Sequence, residues 1–145
     1  MKMKPAERRR ARQFAVQAVY QWQITKANAG QIIDQFTVDQ DLSKTDVAYF
    51  KELLTGVINR VDSLDEKLSP YLSRKIEDVD MVDIAVLRIA MFELTYRTDV
   101  PHKVVLNEAI ELAKDFATDE SYKFVNGVLD KALRSLKLRE ESNND

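Results

Sequence analysis

The sequence predicts an all-α fold, a bundle of about seven helices in two packed subdomains. Apolar residues recur at three-and-four spacing from Ala6 almost to the end of the chain, which is the period of a helix with one buried face. Strictly alternating β-branched runs bounded by turn residues, the mark of half-buried strands, are absent. Breakers are also scarce, with three Gly and three Pro in 145 residues.

The first helix is expected from Pro5 or Ala6 to Thr25, because proline at the first helical position gives up an N–H that has no partner there anyway. Gly30 falls in the following loop, and a short second helix covers Gln31 to about Val38. A third, from about Thr45 to Val61, carries Val47, Phe50, Leu53, Leu54, Val57, Ile58 and Val61 as a core-facing stripe. Ser63 and Glu66 read as a capping box opening a fourth segment, with Leu64, Leu68 and Leu72 inward and Pro70 bending or ending it.

From Met81 to Tyr96 apolar residues cover the whole circumference, so this fifth helix belongs in the middle of the bundle. Asp83, Arg88 and Glu93 are its charges between Val82 and Leu94, and each needs an opening or a partner. Pro101 suits the first turn of a sixth helix reaching about Phe116, with Val105, Ala109, Leu112, Ala113 and Phe116 buried. The seventh is expected from about Ser121 to Leu136, and the polar tail at 140–145 is expected to be disordered. The whole reads as a single domain over 1–139, with subdomains of about 5–78 and 79–139.

Composition narrows the function. The chain has no Cys, so disulfides, cysteine zinc sites and thiol nucleophiles are excluded, and the cytoplasm is the expected setting. No apolar run approaches the roughly 20 residues of a membrane span, and the charged first residues lack a signal peptide's apolar stretch. The net charge of −2 averages two unlike parts: residues 1–12 sum to +5 and leave −7 for the rest. That asymmetry is a local footprint for a polyanion on an acidic body.

The run Arg8, Arg9, Arg10, Ala11, Arg12 gives the footprint its residues. At about 100° per residue, Ala11, Phe14, Ala15, Ala18, Val19 and Trp22 form a docking stripe, and Arg9, Arg12, Gln13 and Tyr20 are expected outside it. Guanidinium groups grip phosphates, an amide reads a base edge and an exposed tyrosine stacks, a combination suited to single-stranded RNA. The plain alternative is a solvated arginine cluster. The face opposite the arginines is largely Ala, which favours close helix packing over a membrane surface.

In the segment Lys123–Lys131, Phe124 falls at the margin of its helix's apolar stripe beside Gly127 and Lys131. It either packs in the core or stacks on a base, and Asn126 is either a surface amide or a base reader. His102 is the lone histidine, so histidine metal sites and multi-histidine acid–base systems are out of reach. Glu108 and Glu111 have ordinary exposed-face spacing, and no phosphate loop, dinucleotide turn or nucleophile elbow occurs. No enzymatic activity and no cofactor are expected.

Four strings resemble the NusB transcription antitermination family. They are Arg8–Tyr20, Val86–Ala90 with Glu93 and Leu94, Asp99–Pro101 followed by Lys103–Lys114, and Lys123–Lys131. They keep their order and span nearly the whole chain. The resemblance implies a helical bundle around the long apolar helix. It further implies a non-enzymatic factor that, with the small-subunit ribosomal protein NusE, binds the boxA element of nascent RNA and helps the RNA polymerase antitermination complex read through terminators, notably in ribosomal RNA operons. Carried over, Arg8, Arg9, Arg10 and Arg12 with Gln13 and Tyr20 are one side of the RNA groove, and Phe124 and Asn126 the other. Asp83 matches an acidic position used toward NusE, which would account for its staying unburied. Arg88 serves the same contact or forms an internal pair. Ala117, where the family often has Gly, and His102, where an aromatic is common, depart from the pattern. Two other readings are a purely protein-binding scaffold, and a stand-alone module acting on ribosomal RNA with a separate methyltransferase.

Overall fold

The computed structural model describes residues 4–118 and 120–143. Its helices are α1 (Pro5–Thr25), α2 (Ala29–Asp39), α3 (Val47–Asn59), α4 (Val61–Leu68), α5 (Met81–Tyr96), α6 (His102–Phe116) and α7 (Ser121–Asn143). Two short 3-10 turns, Ser69–Tyr71 and Ile76–Asp78, lead from α4 to α5, and no strand occurs among the described residues.

Local chemistry sets the boundaries. Pro5 opens α1, and Lys26 closes it in the left-handed region (φ 58°), returning its N–H to the Trp22 carbonyl. Asn28 starts α2 two residues before the expected position by accepting the Gln31 N–H at 2.8 Å. Asp46 caps α3 through the Tyr49 N–H, and Asp80 caps α5 through the N–H groups of Val82 and Asp83.

The expected capping box at Ser63 does not form. Arg60 alone separates α3 from α4, and the Leu64 N–H already bonds to the Arg60 carbonyl, so Ser63 lies inside the helix and its hydroxyl accepts from Lys67. Pro70 sits in the 3-10 turn that ends α4. Pro101 immediately precedes α6, its carbonyl taking the first helical bonds from Val104 and Val105. Helix α7 continues to Asn143, past Glu140 where a disordered tail was expected, and residues 144–145 of that tail lie outside the described residues.

Every residue of α5 from Asp83 to Leu94 is buried, because α1, α3, α4, α6 and α7 all pack against it. The first three helices lock through Phe14, Phe36 and Phe50, whose ring centroids lie 5.7–6.4 Å apart. One hydrophobic cluster runs from Ala11 on α1 to Leu133 on α7. Helix α6 packs against both α1 and α7, and this places the basic end of α1 beside the acidic face of α6. Among the described residues no helix is long and apolar enough to cross a membrane.

Candidate nucleic-acid interface

The buried arc of α1 is wider than the Ala-rich stripe alone, since Val16 and Gln23 are buried with it. On the wheel Arg12 falls between Val19 and Gln23, so its side chain enters the bundle. It is 3% exposed, and its Nε and Nη2 donate to the two Glu93 carboxylate oxygens at 2.9–3.2 Å. The Tyr49 hydroxyl donates to the same carboxylate. Burial works against the charge of Arg12, but the hydrogen bonds and attraction of Glu93 outweigh it and hold the guanidinium ionised. Burial, with the Glu93 charge beside it, pushes the Tyr49 phenol above its ordinary range. The expectation that Arg12 faces RNA is therefore corrected: it is the partner that buried Glu93 requires.

The other α1 residues divide by wheel position. Arg8 is half-buried, its guanidinium 4.2 Å from the Tyr49 ring centroid and its Nε 3.5 Å from Asp46 without closing a hydrogen bond. Arg9 projects outward with a side chain 57% exposed, and its Nε and Nη2 donate to Glu108 of α6 at 2.9–3.3 Å. That pairing raises the Arg9 pKa above its already high usual value. Arg10 is exposed, 5.8 Å from the Phe14 ring centroid. Gln13 is half-buried, with its main-chain carbonyl accepting from the Gln17 amide.

Tyr20 is 39% exposed and stands on the rim of a groove of about 500 Å³. Gln17, Gln21 and the exposed Ile24 continue the α1 wall, Gln35, Phe36 and Asp39 of α2 with Gln40 just past its end form the facing wall, and Val82 and Phe116 complete the lining. A 2.8 Å hydrogen bond from Gln21 Nε2 to Gln35 Oε1 spans the two walls. The groove thus offers apolar and aromatic surface with amide donors and acceptors at its edge, a composition able to take unstacked bases or a protein segment.

On α7, Phe124 is half-buried against the core and the Arg74 guanidinium stacks over its ring at 4.8 Å, while Asn126 is exposed. No hydrogen bond, ion pair or cation–π contact among the described residues joins Phe124 or Asn126 to α1. Helix α6 packs against both α1 and α7, and of the two sets it is Arg9 that contacts it, through Glu108.

Asp83 is buried, which corrects the expectation that it stays open. Burial pushes its carboxyl above the ordinary range and the Asp80 charge adds to this, while the Ser121 hydroxyl opposes it. Its Oδ1 has no hydrogen-bond partner. Arg88 forms the internal pair: Nε and Nη2 donate to Asp65 and Nη1 to Gln23 Oε1, all at 2.9 Å, which takes it away from any partner contact.

The sequence places Glu108 on an ordinary exposed helix face, whereas its side chain is largely covered and paired with Arg9, and the amide wall of α2 went unread. The i,i+4 pairs Gln17–Gln21 and Tyr20–Ile24 hinted at a second face of α1, but nothing local assigned α2 as its neighbour. Among the described residues no cluster of His, Cys, Asp or Glu is arranged to hold a metal.

A helical bundle with an outward arginine row on its first helix and an amide-edged groove beside it defines a binding protein of the all-α class. The NusB family model matches residues 9–134. The transcription antitermination protein NusB of Psychromonas ingrahamii is 90% identical over 141 residues, 97% of each chain. A solved structure of T. maritima NusB superposes with a TM-score of 0.79 at 30% identity, covering 92% of this chain and 93% of that one. A crystal structure of the antitermination factors NusB and NusE in complex with double-stranded RNA shares the fold, with a TM-score of 0.76 at 23% identity over 91% and 99% of the two chains. The chain belongs to the NusB family, which comprises transcription antitermination factors and not enzymes.

Proposed function

We propose that this protein is a transcription antitermination factor that binds boxA-type single-stranded RNA together with NusE. It thereby helps RNA polymerase read through terminators, notably in ribosomal RNA operons. The observation that carries the reading is the outward set on α1: Arg9 and Arg10 at a solvent-facing helix start, with Tyr20 at the rim of an amide-edged groove further along. The family relatives, and the NusB–NusE–RNA complex of the same fold, support it.

In this mechanism Arg8, Arg9 and Arg10 neutralise phosphates, Gln13 contacts a base edge or sugar, and Tyr20 stacks on an unpaired base. Phe124 and Asn126 extend the surface along α7. A base reaching Phe124 displaces Arg74 from the ring or slides between the two, where the guanidinium serves as the second stacking plane. NusE docks on the bundle beside the RNA surface and extends it, while buried Asp83 stays inside the fold. Two ligands meeting on one surface reinforce each other by linkage.

A titration of boxA RNA with and without NusE tests the proposal. The expected result is RNA binding that tightens when NusE is present, by about 5- to 150-fold for a typical coupling. Binding of NusE without any affinity for RNA would favour the protein-scaffold reading instead.

A further inference from the structure

We propose that Glu108 is a gate on the RNA-binding face: its carboxylate holds Arg9 in the free protein, and an RNA phosphate must displace it. The inference rests on the reading of α1 as an RNA surface and adds an intramolecular competitor to it.

The geometry is that of a phosphate mimic. Arg9 engages both Glu108 oxygens through Nε and Nη2, the same planar fork a guanidinium presents to a phosphate, so the two ligands exclude each other on that edge. Glu108 is placed by the fold, since its neighbour Ala109 and Leu112 one turn on are buried against the bundle, and its own side chain is 13% exposed. Arg9 is the exposed partner, with a long side chain 57% exposed. Release of Arg9 uncovers an anion next to the incoming phosphate, and Glu111 on the same helix also attracts Arg9.

A lone phosphate gains little by replacing a carboxylate that is already in position. A strand that engages Arg10 and Tyr20 at the same time brings its phosphate to Arg9 at high effective concentration and completes the exchange. The gate thus discriminates against isolated anions and short, single-contact polyanions.

The test is a double-mutant cycle in RNA affinity, measured with a boxA-type single-stranded oligonucleotide on wild type, Glu108→Gln, Arg9→Ala and the double variant, with the exposed Glu77→Gln as a control for net charge. Thermal melting of each confirms a folded chain. Glu108→Gln is expected to tighten binding about two- to fivefold, the scale of an exposed ion pair. The same substitution in the Arg9→Ala background, and Glu77→Gln, should change affinity much less. In the wild-type protein the Arg9 Nε–H NMR signal should move when RNA is added. An unchanged or weaker affinity in Glu108→Gln overturns the gate, as does an equal gain with and without Arg9, which would be long-range repulsion. Failure of every variant, wild type included, to bind RNA overturns the RNA reading itself and the gate with it.

Discussion

Arg9 and Arg12 are three residues apart on one helix, yet Arg9 reaches solvent while Arg12 lies at 3% exposure against Glu93. The difference follows from the wheel: Val16, Val19 and Gln23 widen the buried arc until it includes Arg12. An ion pair in that setting makes the fold sensitive to loss of either partner, because the survivor is left charged and without water. Arg12→Ala is accordingly expected to lower the free energy of unfolding by about 3–5 kcal/mol in urea denaturation. Adding Glu93→Leu to Arg12→Met should return part of the loss by leaving no buried charge. A loss below about 1 kcal/mol would mean the pair is solvated and Arg12 available to RNA. The sequence announced that Glu93 needed a partner but not which arginine would supply it, since partner choice depends on how α1 is rotated against α5.

At the scale of elements, helix number, order and the central position of α5 were legible because periodicity and an all-round apolar segment are properties of consecutive residues. Boundaries were legible only where one residue decides them. Pro5 marked the start of α1 correctly, whereas Ser63 misled because α3 runs into α4 across the single residue Arg60. The groove was not legible, because although its two walls come from the consecutive helices α1 and α2, its remaining lining, Val82 and Phe116, comes from α5 and α6. Two glycines show the same contrast between local and tertiary control. A Cβ at Gly56 would overlap the buried Phe92 ring, so α3 approaches α5 at a place only glycine fits. At Gly127 a Cβ meets nothing within 4 Å. Gly56→Ala should therefore destabilise by about 1–3 kcal/mol through overpacking, and Gly127→Ala should stabilise by up to about 1 kcal/mol through helix propensity. Denaturation midpoints of the two variants moving in the same direction would contradict this packing.

For the whole molecule, the central idea is a division of charge. Residues 1–12 carry +5 on a chain whose net charge is −2, and the fold spends Arg12 on its own interior while presenting Arg9 and Arg10 outward. Attraction for a polyanion is then local and oriented, and an acidic body opposes indiscriminate binding elsewhere. Such binding carries a signature, the release of counterions from each neutralised phosphate. The most direct measurement is the dependence of boxA RNA affinity on salt concentration for the wild-type protein, Arg9→Ala and Arg10→Ala. The slope of log affinity against log salt should shrink by roughly 0.7 for each arginine removed. Slopes identical in all three proteins would show that neither guanidinium meets a phosphate, and would contradict the placement of RNA on the first helix.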